Sequence, residues 1–130
     1  GRFHAAVARE VRATRRPVDP PAVLLSGGEC TVSVRGDGVG GPNLEFGLAA
    51  ALTLRGTDDV AVAAVDTDGR DGSTAAAGSL VDGETVPNPE PARDALTVND
   101  SCGYLDGRDA VLRTAPTGTN VNDLRVVVLQ

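Results

Sequence analysis

The sequence predicts an α/β domain, three layers deep, with helices on both faces of a mixed β-sheet. Three observations carry that prediction. Strand-like and helix-like stretches alternate along the 130 residues. Val60-Ala61-Val62-Ala63-Ala64-Val65 is a continuous apolar run, as expected of a central strand covered on both faces. Several connections are too short for a crossover between parallel strands, so some neighbours are hairpin-linked and the sheet is mixed.

The elements follow in order. Residues 2–14 predict a helix, with Phe3, Val7 and Val11 recurring every four residues and Arg2, Arg9, Arg12, Arg15 and Arg16 on the other faces. Pro17 to Pro21 ends it and makes a connector. We divide the chain there: residues 1–16 read as a helix ending or linking from a preceding domain, and 17–130 as the domain proper. Ala22-Val23-Leu24-Leu25 is a short strand, and Gly27-Gly28 turns it toward a second at 30–35, where Thr31, Val32 and Val34 are β-branched. Gly36, Gly38, Gly40 and Gly41 then permit a tight loop. Pro42 suits the first turn of a helix, along which Leu44, Leu48, Leu52 and Arg55 step by about one turn to a stop at Gly56. After the strand at 60–65, Ala75 to Leu80 reads as weakly helical and Val81 to Val86 as a turn on Asp82-Gly83. Pro87 to Pro91 is a stiff link before a short helix at 92–97, and Asn99-Asp100-Ser101 caps another near Tyr104-Leu105. Residues 110–114 and 124–129 are strands joined by a polar loop.

Charge narrows the class of partner. The net charge is −6, with 12 Arg and no Lys against 18 acids. It is divided unevenly, +4 over residues 1–16 and −10 over 17–130. An acidic surface with two Phe, one Tyr and no Trp argues against nucleic acid, a base-stacking platform or an anionic membrane. It suits a salt-rich cytoplasm, and an Arg-favouring genome is compatible with that. Raising KCl screens the self-repulsion of the acidic surface, so the melting temperature is expected to climb with salt. A flat or falling melting curve would count against such an adaptation. Cys30 and Cys102 are far apart in sequence and His4 stands alone, which makes no zinc site. We read both cysteines as reduced.

Candidate chemistry gathers in four loops: Gly27–Glu29, Gly36–Glu45, Asp66–Thr74 and Pro116–Asp123. Strand, glycine loop and helix N-terminus is a geometry that favours anions. It is no P-loop, because no Lys follows, and the glycine spacing does not match the dinucleotide fingerprint. Asp68 or Asp71 could hold Mg²⁺ or accept a proton from a substrate hydroxyl, or the segment could be a solvated acidic turn. The Asn and Asp residues of 116–123 could bind a ligand or satisfy their own backbone in Asx-turns.

Taken together, Ser26-Gly27-Gly28-Glu29, Gly40-Gly41-x-Asn43-x-Glu45-Phe46, Thr67-Asp68-Gly69-x-Asp71-Gly72, Asn99-Asp100-Ser101 and Pro116–Leu124 resemble the MOFRL family over about residues 22–130. That domain is the C-terminal part of two-domain glycerate 2-kinases, also labelled hydroxypyruvate reductases. The resemblance implies ATP-dependent phosphorylation of D-glycerate to 2-phosphoglycerate with Mg²⁺, in a cleft shared with a larger N-terminal Rossmann-like domain. It implies catalytic roles for Asp68, Asp71, Asn43 and Glu45: Asp68 as metal ligand or base with Asp71 supporting it, and Asn43 and Glu45 orienting substrate or water. Glu29, Gly38, Gly40, Gly41, Thr117, Asn120, Asn122 and Asp123 would form the cofactor-binding side of that cleft, with the glycine loop facing a phosphate or the glycerate carboxylate. No run approaches 18 apolar residues and no h-region opens the sequence, so a cytoplasmic protein is expected, and a homo-oligomer is compatible with it. The chain departs from the family pattern at Pro42, where many relatives carry an Arg suited to phosphate or carboxylate. Either another cation takes its place, such as Arg70 or one from the N-terminal domain, or this copy is weakened. A hydroxypyruvate reductase and a non-catalytic ligand-binding domain are the other readings.

Overall fold

The computed structural model describes all residues from Gly1 to Gln130. Helix α1 (Arg2–Thr14) is followed by β1 (Ala22–Gly28), α2 (Pro42–Leu54), β2 (Val60–Asp66), β3 (Gly78–Asp82), α3 (Pro89–Thr97), α4 (Ser101–Asp106), β4 (Val111–Leu112) and β5 (Asp123–Leu129). The five strands form one sheet in the order β1-β5-β2-β3-β4, so the last strand of the chain lies between the first two.

The α/β class is as the sequence predicts, but the sheet is antiparallel throughout rather than mixed. The predicted third layer is also missing. Val60, Val62, Ala64, Val127 and Leu129 point into the helices and are buried, while Ala61, Ala63 and Val65 are only half-buried. On that second face Val23, Leu25, Leu80 and Leu124 are exposed. All four helices belong to a single core cluster on the other side. The apolar run at 60–65 suggested two covered faces because alanine and valine are apolar whichever way they point.

Helix α2 runs through the middle of the core. It starts at Pro42, buries Leu44, Leu48 and Leu54 completely, and touches α1, α3, α4, β2 and β3. Each buried leucine is worth about 1.5–3 kcal/mol relative to exposure. Its approach to β3 depends on Gly47, where a Cβ would collide with the Ser79 hydroxyl. Helix α1 packs through Ala5, Ala8 and Val11, and Phe3 of the expected stripe stands 76% exposed. Small residues let α1 lie close to Ala50 and Ala51 of α2, which are themselves fully buried.

Three local expectations are corrected. Residues 30–35 form no strand. The Cys30 amide donates to the Asp123 carboxylate and the Arg35 amide to the Asn99 side chain, so these groups do not enter a ladder. Residues 78–80 are strand, not helix, because Gly78 and Ser79 pair with Val65 and Ala64. Helix α3 begins at Pro89, inside the expected link, with the Asn88 side chain accepting from the Glu90 amide.

Candidate functional site

One end of the sheet collects every candidate loop. Gly28 closes β1 opposite Asp123, Asp66 closes β2 opposite Asp123, and Gly78 opens β3 opposite Leu112 and Val65. The loops after β1, β2 and β4 therefore meet above the N-terminus of α2.

Beneath them lies a polar network sealed from solvent. Asn43 and Asp71 are 0% exposed, and Asp123 and Arg125 are buried. Asp71 accepts from the Asn43 amide (3.0 Å), the Leu44 amide (2.8 Å) and Asn43 Nδ2 (3.1 Å). Asn43 Nδ2 also donates to Asp123 Oδ1 at 2.7 Å, and Arg125 pairs with Asp123 Oδ2. Ser79 Oγ donates to the Asn43 carbonyl at 2.9 Å. Asn43 Oδ1 and Arg125 Nε have no partner. Burial raises the Asp71 carboxyl above its ordinary pKa, and the amides of Asn43 and Leu44 oppose that rise.

This arrangement changes the reading of the helix N-terminus. The anion that satisfies α2 is the side chain of Asp71, so those amides are not free for a ligand. Gly41 has to be glycine, because a Cβ there would strike the Asp71 carboxylate. The glycine loop is likewise anchored from outside. The Gly36 amide donates to Asn99 Oδ1, the Gly38 amide to the Val98 carbonyl and the Val39 amide to Asp100 Oδ1, while the Cys102 amide donates to the Val39 carbonyl. The Gly40 and Gly41 amides have no acceptor in the chain. Both glycines line a cavity of about 340 Å³ together with Gly38, Pro42, Glu45, Gly72, Ser73 and Asn99.

The other side of the Asp66–Thr74 loop holds a second cavity of about 480 Å³, lined by Asp68, Arg70, Pro116, Gly118, Thr119 and Asn120. Asp68 is half-buried. It accepts from the Arg70 amide at 2.7 Å and from Asn120 Nδ2 at 3.1 Å. Its own amide donates to Asp66 Oδ1 at 3.1 Å, and burial raises the Asp66 carboxyl. The loop 115–122 is fastened by Thr117 Oγ1 donating to the Thr67 carbonyl (2.6 Å) and Thr67 Oγ1 donating to the Asn122 carbonyl (2.8 Å). Arg70 Nε donates to the Thr74 carbonyl, and its terminal nitrogens meet no acid within the chain.

The predicted residues thus divide. Gly38, Gly40, Gly41 and Glu45 line one cavity and Asp68 and Asn120 the other. Asn43, Asp71 and Asp123 form the buried support between and below. Glu29 is exposed and lines neither. Thr117 and Asn122 hold their loop without lining the cavity. Nowhere do three or more His, Cys, Asp or Glu side chains converge as a metal cluster. Sequence reasoning missed Arg125, and it read Asn99 only as a cap and part of a family motif, not as a cavity residue. The period of two in Asp123-x-Arg125-x-Val127 was a signal for the first, since it puts a charged pair on the core face of β5.

The MOFRL family model matches residues 22–123. A D-glycerate 2-kinase of Thermotoga maritima is 46% identical over 95% of this chain, and a glycerate 2-kinase of Pyrococcus horikoshii 38% identical over 99%. The chain spans 31% and 30% of the length of those relatives. The crystal structure of a glycerate kinase from Thermotoga maritima superposes with a TM-score of 0.96 at 43% identity, covering 99% of this chain and 32% of that one.

Proposed function

The chain belongs to the MOFRL family, and from that premise we propose that it is the C-terminal part of an ATP-dependent glycerate 2-kinase. Its reaction joins the C2 hydroxyl oxygen of D-glycerate to the γ-phosphorus of ATP, breaks the bond to the β–γ bridging oxygen and releases ADP. The observation that carries this reading is the pair of cavities flanking the Asp66–Thr74 loop. One offers amide donors and a carboxylate, the other a carboxylate, an amide and an arginine.

In this reading the Gly40 and Gly41 amides bind the glycerate carboxylate, and Glu45 accepts a hydrogen bond from a glycerate hydroxyl. Asp68 takes the proton of the reacting hydroxyl, and Asn120 steadies Asp68. Arg70 supplies charge to the phosphates, in place of an arginine at Pro42. Asn43, Asp71 and Asp123 set the height and direction of α2 and the loops rather than touching substrate. Mg²⁺ bound to the nucleotide would neutralise phosphate charge; Asp68 is the one carboxylate lining the second cavity, which fits a cation carried in by phosphates rather than caged by this chain. A Rossmann-like domain of the same polypeptide would complete the cleft, and the relatives are long enough to contain one.

The test is to incubate the complete polypeptide with ATP and D-glycerate and follow products by ³¹P NMR. Formation of 2-phosphoglycerate supports the kinase. Hydroxypyruvate-dependent oxidation of a nicotinamide cofactor, without phosphorylation, would replace it with a reductase. The 130-residue chain alone is expected to show no turnover, because half the cleft is supplied elsewhere; robust 2-phosphoglycerate formation by it would refute the shared-cleft arrangement.

A further inference from the structure

We infer that Asn99 is a positioning residue that fixes the carboxylate of Glu45 at the wall of the glycine-loop cavity. The inference rests on the glycerate-kinase reading above and adds to it a residue that contacts no reacting atom. Asn99 is nearly buried, at 7% exposure, and its φ of 59° is a left-handed conformation that asparagine tolerates better than most residues. That backbone turn lies between α3 and α4 and points the amide toward the loop and α2.

Each half of the side-chain amide has a separate task. Oδ1 accepts from the Arg35 amide (2.6 Å) and the Gly36 amide (3.2 Å), which fastens the entry to the glycine loop. Nδ2 donates to Glu45 Oε1 at 2.6 Å, and more weakly to the Ser33 carbonyl at 3.4 Å. Glu45 sits in the first turn of α2 and is only half-buried. Without that bond its side chain would sample several rotamers in the cavity. With it, one carboxylate oxygen is committed and the other has no partner in the chain. A carboxylate held by one oxygen and free at the other is suited to accept from a hydroxyl of a small hydroxy acid. The same amide that shapes the loop carrying Gly40 and Gly41 therefore also aims the group facing it.

The substitution Asn99→Asp separates these tasks. It keeps an oxygen for Arg35 and Gly36 and replaces the donor facing Glu45 by an acceptor. In the complete polypeptide kcat/KM for D-glycerate is expected to fall about 10–100-fold, the range that follows from misplacing a substrate-orienting group. The KM for ATP should change less than about two-fold, since the second cavity is untouched. Hydrogen exchange at the Arg35 and Gly36 amides should remain as slow as in the wild type, and Asn99→Ala should speed it. The NMR order parameter of the Glu45 side chain should drop in both variants. Unchanged glycerate kinetics, or glycerate and ATP parameters moving together, would overturn the positioning role. If the wild-type polypeptide phosphorylates no glycerate, the kinase reading fails, and the Glu45 order parameter decides the role of Asn99 alone: no drop in Asn99→Asp overturns it.

Discussion

Replacing Asp71 with alanine is expected to remove about 3–5 kcal/mol of folding stability, enough to unfold many domains of this size. Two buried backbone amides, of Asn43 and Leu44, would lose their acceptor, and the Asn43 side-chain amide would keep only its bond to Asp123. Losing a helix cap costs about 0.5–2 kcal/mol, and each orphaned buried donor about 1–3 kcal/mol, with part of that counted twice. Asp71→Asn separates charge from shape. It keeps one acceptor oxygen but turns an NH₂ group toward amide donors, so a loss of about 1–2 kcal/mol is expected. The pH dependence has a definite sign. Folding raises the Asp71 pKa, chiefly through burial. Stability linked to this group is therefore fully present below the unfolded-state pKa and is lost as pH rises through the higher folded-state value. Both variants should lack that component when urea unfolding is followed across the acid range. A change within about 0.5 kcal/mol for Asp71→Ala would mean that the cap is not holding the helix.

Pro42 and Gly56 punctuate α2, and its limits were readable because both signals are local. The polar loops were readable as a group because apolar strands bracket them. What was hidden depends on partners distant in sequence. Thr31, Val32 and Val34 have strand chemistry, yet the amides beside them are taken by Asp123 and Asn99, which lie more than sixty residues away. Gly78 and Ser79 have poor strand propensity, and they occupy β3 because they pair with Val65 and Ala64, while α2 lies close over Ser79 at Gly47. Asp71 was legible as chemistry but not as a cap, since its task becomes visible only when β2 and the start of α2 are placed side by side. Asp68 and Asp71 are three residues apart in one acidic turn. The fold sends one to a cavity and the other to the core.

The substitution Asp68→Asn should have the opposite signature, a collapse of activity with the fold intact. Asp68 is half-buried, follows the end of β2, and lines the second cavity with Arg70 and Asn120. Its hydrogen bonds to the Arg70 amide and Asn120 Nδ2 are local to exposed loops, so losing part of them should cost no more than about 0.5–1 kcal/mol. A carboxylate that accepts the proton of the C2 hydroxyl, or that approaches the nucleotide's cation, has no substitute in an amide of the same size. The expected fall in kcat/KM for glycerate is about 100-fold or more, which corresponds to about 2.7 kcal/mol of transition-state stabilisation. Asp37→Asn in the glycine loop is the control, because Asp37 is exposed and lines neither cavity. It removes the same charge from the same acidic surface, so any general electrostatic effect appears in both variants. Equal, small losses at the two positions would make the Asp66–Thr74 loop structural, and the proton acceptor would then have to come from the part of the polypeptide beyond this chain.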